Sequence, residues 1–360
     1  MRLKIKKKPV SSIEVHLSTE KTNVRMKTNS SKNIKAAITA VGGFVPKDFI
    51  SNQDLEKILD TTDEWITSRT GIKKRHILKG EGKGTSYLAI KAAEDLIKKS
   101  KINPESIDVV IVSTITPDYK GPATAVTVAS EINAKNAYAF DLSAACSGFL
   151  YGMSIASSFI ESGRYKKVLL IGADKMSSVV DYSRRETSIL FGDGAGAVLV
   201  EPSENNFGWE DEYLRSDGKG AEWLMVKGGG SMYPMTQKAI EKGWHFITQD
   251  GKLVFKAAVS EMANATAEIV KRNNLTPKDI KFLLPHQANK RIIDAAAEKI
   301  NLDKKKVLMN ISEYGNTTAA TIPLLLFDNE SKLSKGDKLI FTAFGAGLTW
   351  GAAYLTWAYN

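Results

Sequence analysis

One cysteine, four histidines and ten prolines are spread over 360 residues. A single cysteine cannot close an internal disulfide, so the expectation is a reduced, cytoplasmic setting in which a thiol stays free. No apolar run approaches the roughly 20 residues that a membrane-crossing helix needs, and a soluble chain without membrane partners is expected. Nowhere do His, Cys and carboxylates cluster at metal-ligand spacing, so no metal is expected. The two glycine-rich stretches, "FGDGAGAVLV" and "FGAGLTWGAA", lack the strand-then-helix setting of a dinucleotide or P-loop fingerprint, which sets nucleotide-phosphate readings aside.

The net charge of +10 is unevenly placed. Residues 1–35 hold ten Lys and Arg (Arg2, Lys4, Lys6, Lys7, Lys8, Lys21, Arg25, Lys27, Lys32 and Lys35) against Glu14 and Glu20, a surplus of eight, and everything after them carries only +2. Residues 1–33 show neither helical nor strand periodicity and lack the apolar centre of a secretory signal; they read as a basic, disordered tail. Translation beginning at Met26 would account for them equally. The nucleic-acid partner that the net charge suggests is therefore not expected.

The rest of the chain repeats itself. "AAEDLIKKSKINPESIDVVIVS" (92–113) aligns without a gap on "ATAEIVKRNNLTPKDIKFLLPH" (265–286), and "KVLLIGA" (167–173) on "KLIFTAF" (338–344). Each copy reads as an amphipathic helix, a short Pro-containing loop and a wholly apolar strand, the pattern of helices covering a buried sheet. Two α/β halves are expected, residues 34–205 and 206–360. Carried on at an offset of about 170, the repeat sets "DLSAACSGFL" against "ISEYGNTTAA", so that Cys146 faces Asn316 in the alignment and Ser113 faces His286. Residues at strand ends and helix starts near a pseudo-twofold axis are where open α/β sheets form ligand crevices.

Cys146 follows the strand-like "AYAFDL" and precedes a helical stretch ending near Gly163. At a helix N-terminus, backbone N–H groups and the macrodipole favour thiolate over thiol, which suits a nucleophile. A small buried core residue is the other reading. His286, closing the apolar strand of "FLLPHQANKRI", is either a satisfied core histidine or an active-site imidazole, and Asn316 is either an N-cap or a polar partner of both. Backbone N–H groups in "GAG" (345–347) could form an oxyanion hole.

Taken together, "DTTDEWITSRTGIKKRHI", "DLSAACSGF", "FGDGAGAV", "LLPHQANKRII", "YGNTTAATIPL" and "FGAGLTWGAA" closely resemble the β-ketoacyl-acyl-carrier-protein synthase III family, the initiating condensing enzymes of bacterial type II fatty-acid synthesis. The resemblance runs from about Ile34 to the C-terminus. It implies a duplicated thiolase-like αβαβα five-layered sandwich forming homodimers, an acyltransferase that condenses an acyl-CoA primer, acetyl-CoA foremost, with malonyl acyl carrier protein, and no cofactor, acyl-CoA being a substrate. It implies Cys146 as the acyl-accepting nucleophile, His286 and Asn316 acting in the condensation step, and the backbone N–H groups of Cys146 and Ala346 as oxyanion donors. Trp65 and Arg185 resemble the pair flanking the CoA adenine, Arg69 a CoA phosphate contact, and Lys256 and Arg291 the basic residues that dock the carrier protein. Ala346 stands where the family usually has glycine, Leu348 where an aromatic is common, and Gly121 where a bulky pocket-limiting residue is usual, which leaves the acyl preference open. A papain-like Cys-His-Asn hydrolase shares the residue types, but the duplication and the missing protease cysteine signature oppose it.

Overall fold

The computed structural model describes residues 34–360; the basic segment 1–33, with His16 and Met26, lies outside the described residues. Five strands, β1 (Ala36–Phe44), β2 (Val109–Ser113), β3 (Tyr138–Leu142), β4 (Val168–Lys175) and β5 (Asp193–Pro202), form one sheet in the order β1-β5-β4-β2-β3. Four more, β6 (Trp209–Ser216), β7 (Ile280–Pro285), β8 (Lys338–Gly345) and β9 (Thr349–Thr356), form a second in the order β6-β9-β8-β7. Corresponding pairs agree in direction: β1 and β5, like β6 and β9, are antiparallel, whereas β2 and β4, like β7 and β8, are parallel. A parallel bridge from Leu283 to Val307 stands where β3 does in the first sheet. The duplication in the sequence is thus a duplication of topology.

The helices that matter to the site are α1 (Asp63–Thr70), α2 (Thr85–Ser100), α3 (Thr124–Glu131), α4 (Gly148–Glu161), α5 (Gly251–Arg272), α6 (Lys290–Lys299) and α7 (Thr321–Asn329). Successive side chains of a strand point to opposite faces, and here both faces are covered. Val168 and Leu170 of β4 pack with Phe149 of α4 and Ile322 of α7, while Leu169 and Ile171 pack with Leu88 of α2 and Val128 of α3. That is why the strand is apolar at every position from Val168 to Ala173 rather than at alternate ones. The second sheet shares the α4 and α7 layer through Phe341 and Leu355, and its outer face meets Ile269 of α5 and Ile293 of α6. Helices, sheet, helices, sheet and helices make five layers, with α4 and α7 buried in the middle. Each fully buried Val, Leu or Ile contributes about 1.5–3 kcal/mol. Among the described residues no helix is long and apolar enough to cross a membrane.

The two central helices begin alike. A residue with positive φ, Ala145 (47°) in one half and Thr318 (52°) in the other, opens a short 3-10 turn, Ala145–Ser147 or Thr318–Ala320, that runs directly into α4 or α7. Matching the turns pairs Cys146 with Ala319 rather than with Asn316, a correction of three residues to the alignment of the repeats. Around these turns the chain is a run of Ala, Ser, Thr and Gly, with no bulky residue to fix the register. The pairing of Ser113 with His286 holds its place, since Val109 pairs with Val168 as Phe282 does with Leu339.

Candidate active site

Cys146, His286 and Asn316 line one cavity of about 290 Å3. Cys146 comes from the turn before α4, His286 from the residue after β7, and Asn316 from the segment leading into the turn before α7. All three are buried, at 5%, 2% and 5% exposure.

Asn316 is held from both sides. Its backbone N–H donates to Leu190 O at 2.9 Å and its carbonyl accepts from Gly192 at 3.1 Å. Its Oδ1 accepts the Thr318 N–H at 2.9 Å, which leaves the amide nitrogen as the end that can donate into the cavity Asn316 lines. The oxygen caps the turn, as the N-cap reading has it.

The His286 backbone N–H donates to Thr342 O at 2.8 Å, and its Nδ1 sits 2.7 Å from Thr321 Oγ1. Burial pushes the imidazole pKa down to about 3, so the ring is neutral at physiological pH. In a Cys-His-Asn hydrolase the asparagine orients the imidazole; here Thr321 takes that position, and the Asn316 oxygen is bonded to Thr318 instead.

Burial, reinforced by the nearby Asp174 carboxylate, pushes the Cys146 thiol up to about 12, while its own backbone N–H and the Asn316 amide pull the other way. The thiolate expected from the helix N-terminus is therefore not the resting form. Local dipoles are present, but burial in a dry site outweighs them. Asp174, at the end of β4, accepts Thr114 Oγ1, Ile115 N and both donors of Thr116 on one oxygen. Its other oxygen accepts Thr318 Oγ1 and, at 3.4 Å, Ala319 N. One buried carboxylate thus ties the first half to the turn carrying Asn316.

The loop Gly345–Leu348 lies on top of Cys146. A Cβ on Gly345 would come within 2.6 Å of the Cys146 nitrogen, so only glycine allows this approach. Thr349 Oγ1 donates to Ala144 O at 2.9 Å and Ser147 Oγ to Thr349 O at 3.0 Å, fixing the two segments together. Leu348 is buried against Gly220, and Gly121 is exposed and lies outside the cavity lining.

Trp65, on α1, lines the cavity as well. Arg185 lies 4.9 Å and Arg69 5.6 Å from its ring centroid, and Arg185 also donates to Asp60 O at 2.7 Å. These three therefore form one cluster, with a guanidinium over the indole. Lys256 on α5 and Arg291 on α6 are exposed, and Arg291 packs over Phe255, a lining residue, at 4.8 Å. Asp174 and Thr321 are the residues around the site that sequence reasoning missed, and neither carries a signal there; Gly345 belongs to the "GAG" stretch that the sequence singles out.

The family models for 3-oxoacyl-[acyl-carrier-protein] synthase III and for its C-terminal domain match residues 140–218 and 270–357. A β-ketoacyl-[acyl-carrier-protein] synthase III of Chlorobium chlorochromatii is 54% identical over 328 residues, covering 90% of this chain and 100% of its own. A second protein of that name from Bacteroides thetaiotaomicron is 52% identical, covering 91% and 98%. The crystal structure of 3-oxoacyl-[acyl-carrier-protein] synthase III from Aquifex aeolicus superimposes with a TM-score of 0.81 at 43% identity, over 90% of this chain and all of its own.

Proposed function

Since the chain belongs to the 3-oxoacyl-[acyl-carrier-protein] synthase III family, we propose that its acyltransferase reaction runs through Cys146, His286 and Asn316, with acetyl-CoA as primer. The observation that carries the assignment is that these three side chains, drawn from both halves of the fold, line one cavity. The Cys146 sulfur attacks the thioester carbonyl of the primer, and backbone N–H groups of Cys146 and Ala346 hold the oxyanion. Its proton leaves with the CoA sulfur, so the resting thiol need not ionise beforehand.

Malonyl on the carrier protein then loses CO2: the carbon–carboxylate bond breaks and its electron pair forms an enolate on the thioester carbonyl. The Asn316 amide and His286 Nε2 hydrogen-bond that enolate oxygen, an interaction stronger in the transition state than in the ground state. The enolate carbon attacks the acyl group, the bond to Cys146 Sγ breaks, and a proton from water restores the thiol. Side chains and the two substrates supply all the chemistry, with no further cofactor. Trp65, Arg69 and Arg185 hold the nucleotide end of CoA, and Lys256 and Arg291 meet the acidic carrier protein at the mouth, where charge steers encounter.

A homodimer in the cytoplasm belongs to the same proposal. The outer edge of β3 carries an exposed Tyr138, and an unpaired edge of this kind invites a second copy. Incubation with acetyl-CoA and intact-mass measurement tests the reading: a gain of one acetyl group that Cys146→Ala abolishes is expected. A wild type that stays unmodified and makes no acetoacetyl carrier protein would defeat it.

A further inference from the structure

Thr321 Oγ1 stands between two acceptors, His286 Nδ1 at 2.7 Å and the Thr318 carbonyl at 3.0 Å, and its hydroxyl has a single proton to give. Given to Thr318, the proton leaves Nδ1 as the protonated nitrogen of a neutral ring, with a bare Nε2 towards the cavity. Given to Nδ1, it makes Nε2 the N–H nitrogen. Only the second form can donate into the site.

From this arrangement we infer that Thr321 is a positioning residue which donates to His286 Nδ1 and thereby holds the imidazole in its Nε2–H tautomer. Resting on the condensation chemistry proposed above, this assigns the residue that equips His286 to donate to the enolate oxygen. The Nδ1 contact is the shorter of the two. The Thr318 carbonyl already accepts the Thr321 backbone N–H, which closes the turn, so it is not left unpaired when the hydroxyl proton goes to Nδ1. Both threonines are buried, at 2% and 1% exposure, so water does not replace the contact cheaply.

The other half of the fold shows that the pair is particular to this site. By the matched turns, Gly148 occupies the place of Thr321 and Ser113 that of His286. A Cβ on Gly148 would lie 2.0 Å from Ser113 Oγ, and that hydroxyl has no hydrogen-bond partner. The same backbone positions therefore carry a hydrogen-bonded pair only where the imidazole is.

The test uses full-length protein labelled with 15N-histidine, whose four histidines make long-range 1H–15N spectra tractable, with His286→Asn to assign the ring. The wild type should show Nε2–H at His286. Thr321→Val should shift the ring towards Nδ1–H and slow malonyl-carrier-protein decarboxylation by at least about 10-fold, against the ~10²-fold or more that losing one oxyanion donor costs. Acylation of Cys146 should persist in that variant, and Thr321→Ser should restore both the tautomer and the rate. Nδ1–H in the wild type overturns the inference without touching the condensing reading, and so does an unchanged tautomer in Thr321→Val. Should the valine variant not fold, the wild-type and Thr321→Ser spectra decide alone: Nε2–H in both supports the assignment, Nδ1–H in either overturns it. Failure of the wild type to condense would instead strike at the reading beneath, whatever the tautomer.

Discussion

Asn316 Oδ1 accepts the Thr318 N–H at 2.9 Å, and this one bond decides which end of the amide is left for the cavity it shares with Cys146. With the oxygen committed to the turn, the nitrogen is the end that can serve an enolate. Asn316→Ala should therefore still acquire an acetyl group at Cys146, while decarboxylation and condensation fall by about 10²–10³-fold, the cost of a lost oxyanion donor. Asn316→Asp keeps the cap and presents oxygen to the enolate, and it should be at least as impaired. Intact mass and product formation from malonyl carrier protein separate the two steps; loss of acylation with normal decarboxylation would reverse the assignment.

Gly345 is set by distance rather than by backbone angle. Its absent Cβ would be 2.6 Å from Cys146 N, so Gly345→Ala must push the loop away from the nucleophile. The expected outcome is a destabilisation of about 1–3 kcal/mol, as for overpacking a core, with acylation of Cys146 slowed well beyond what the stability loss explains. Thermal unfolding alongside the acylation rate checks both.

The pH dependence of Cys146 follows from its raised pKa of about 12. Since a thiol with a raised pKa stays protonated through neutrality, alkylation by iodoacetamide should climb steadily from pH 7 to pH 10 without a plateau. A plateau near pH 7 would mean a thiolate at rest. Linkage has the same origin: the unfolded thiol ionises near 8.5 and the folded one does not, so folding stability should decline above that pH, and Cys146→Ala should remove the decline.

Because burial lowers the His286 pKa to about 3, the unfolded chain takes up a proton below about 6.5 that the folded site refuses. Stability should fall as pH drops through that window. His76, whose pKa burial also lowers, contributes in the same sense. Denaturant unfolding between pH 7 and pH 4 should show a shallower loss in His286→Asn than in the wild type.

The Arg185 guanidinium lies 4.9 Å from the ring centroid of Trp65, which lines the cavity. Truncating either to alanine should raise the KM for acetyl-CoA by about 10-fold, the scale of a cation–π or stacking contact, and leave turnover of a short acetyl thioester without a nucleotide unchanged. Equal losses with both substrates would move these residues out of the nucleotide's path.

The duplicated architecture was legible because runs such as "VVIV" (109–112) and "VLLIGA" (168–173) are apolar at every position, which only a strand covered on both faces requires. Cys146 stood out because there is one cysteine. Thr321 and Asp174 did not stand out, since their roles lie in contacts 35 and 144 residues away along the chain, and a threonine near a helix start looks like any other. The pKa of Cys146 was misjudged from sequence for the same reason. A helix N-terminus is local and visible there; burial is partly the work of a loop pinned to Ala144 by Thr349, 205 residues further on.

That pinning also bears on how the enzyme comes into being. Cys146 leaves the ribosome long before His286, Asn316 and the loop that covers it. The nascent chain thus carries its thiol exposed and unaided for most of its synthesis, and contacts spanning so much sequence close late in folding. Oxidants and stray thioesters meet the thiol most readily in that interval, and β8 and β9 act as the seal that ends it.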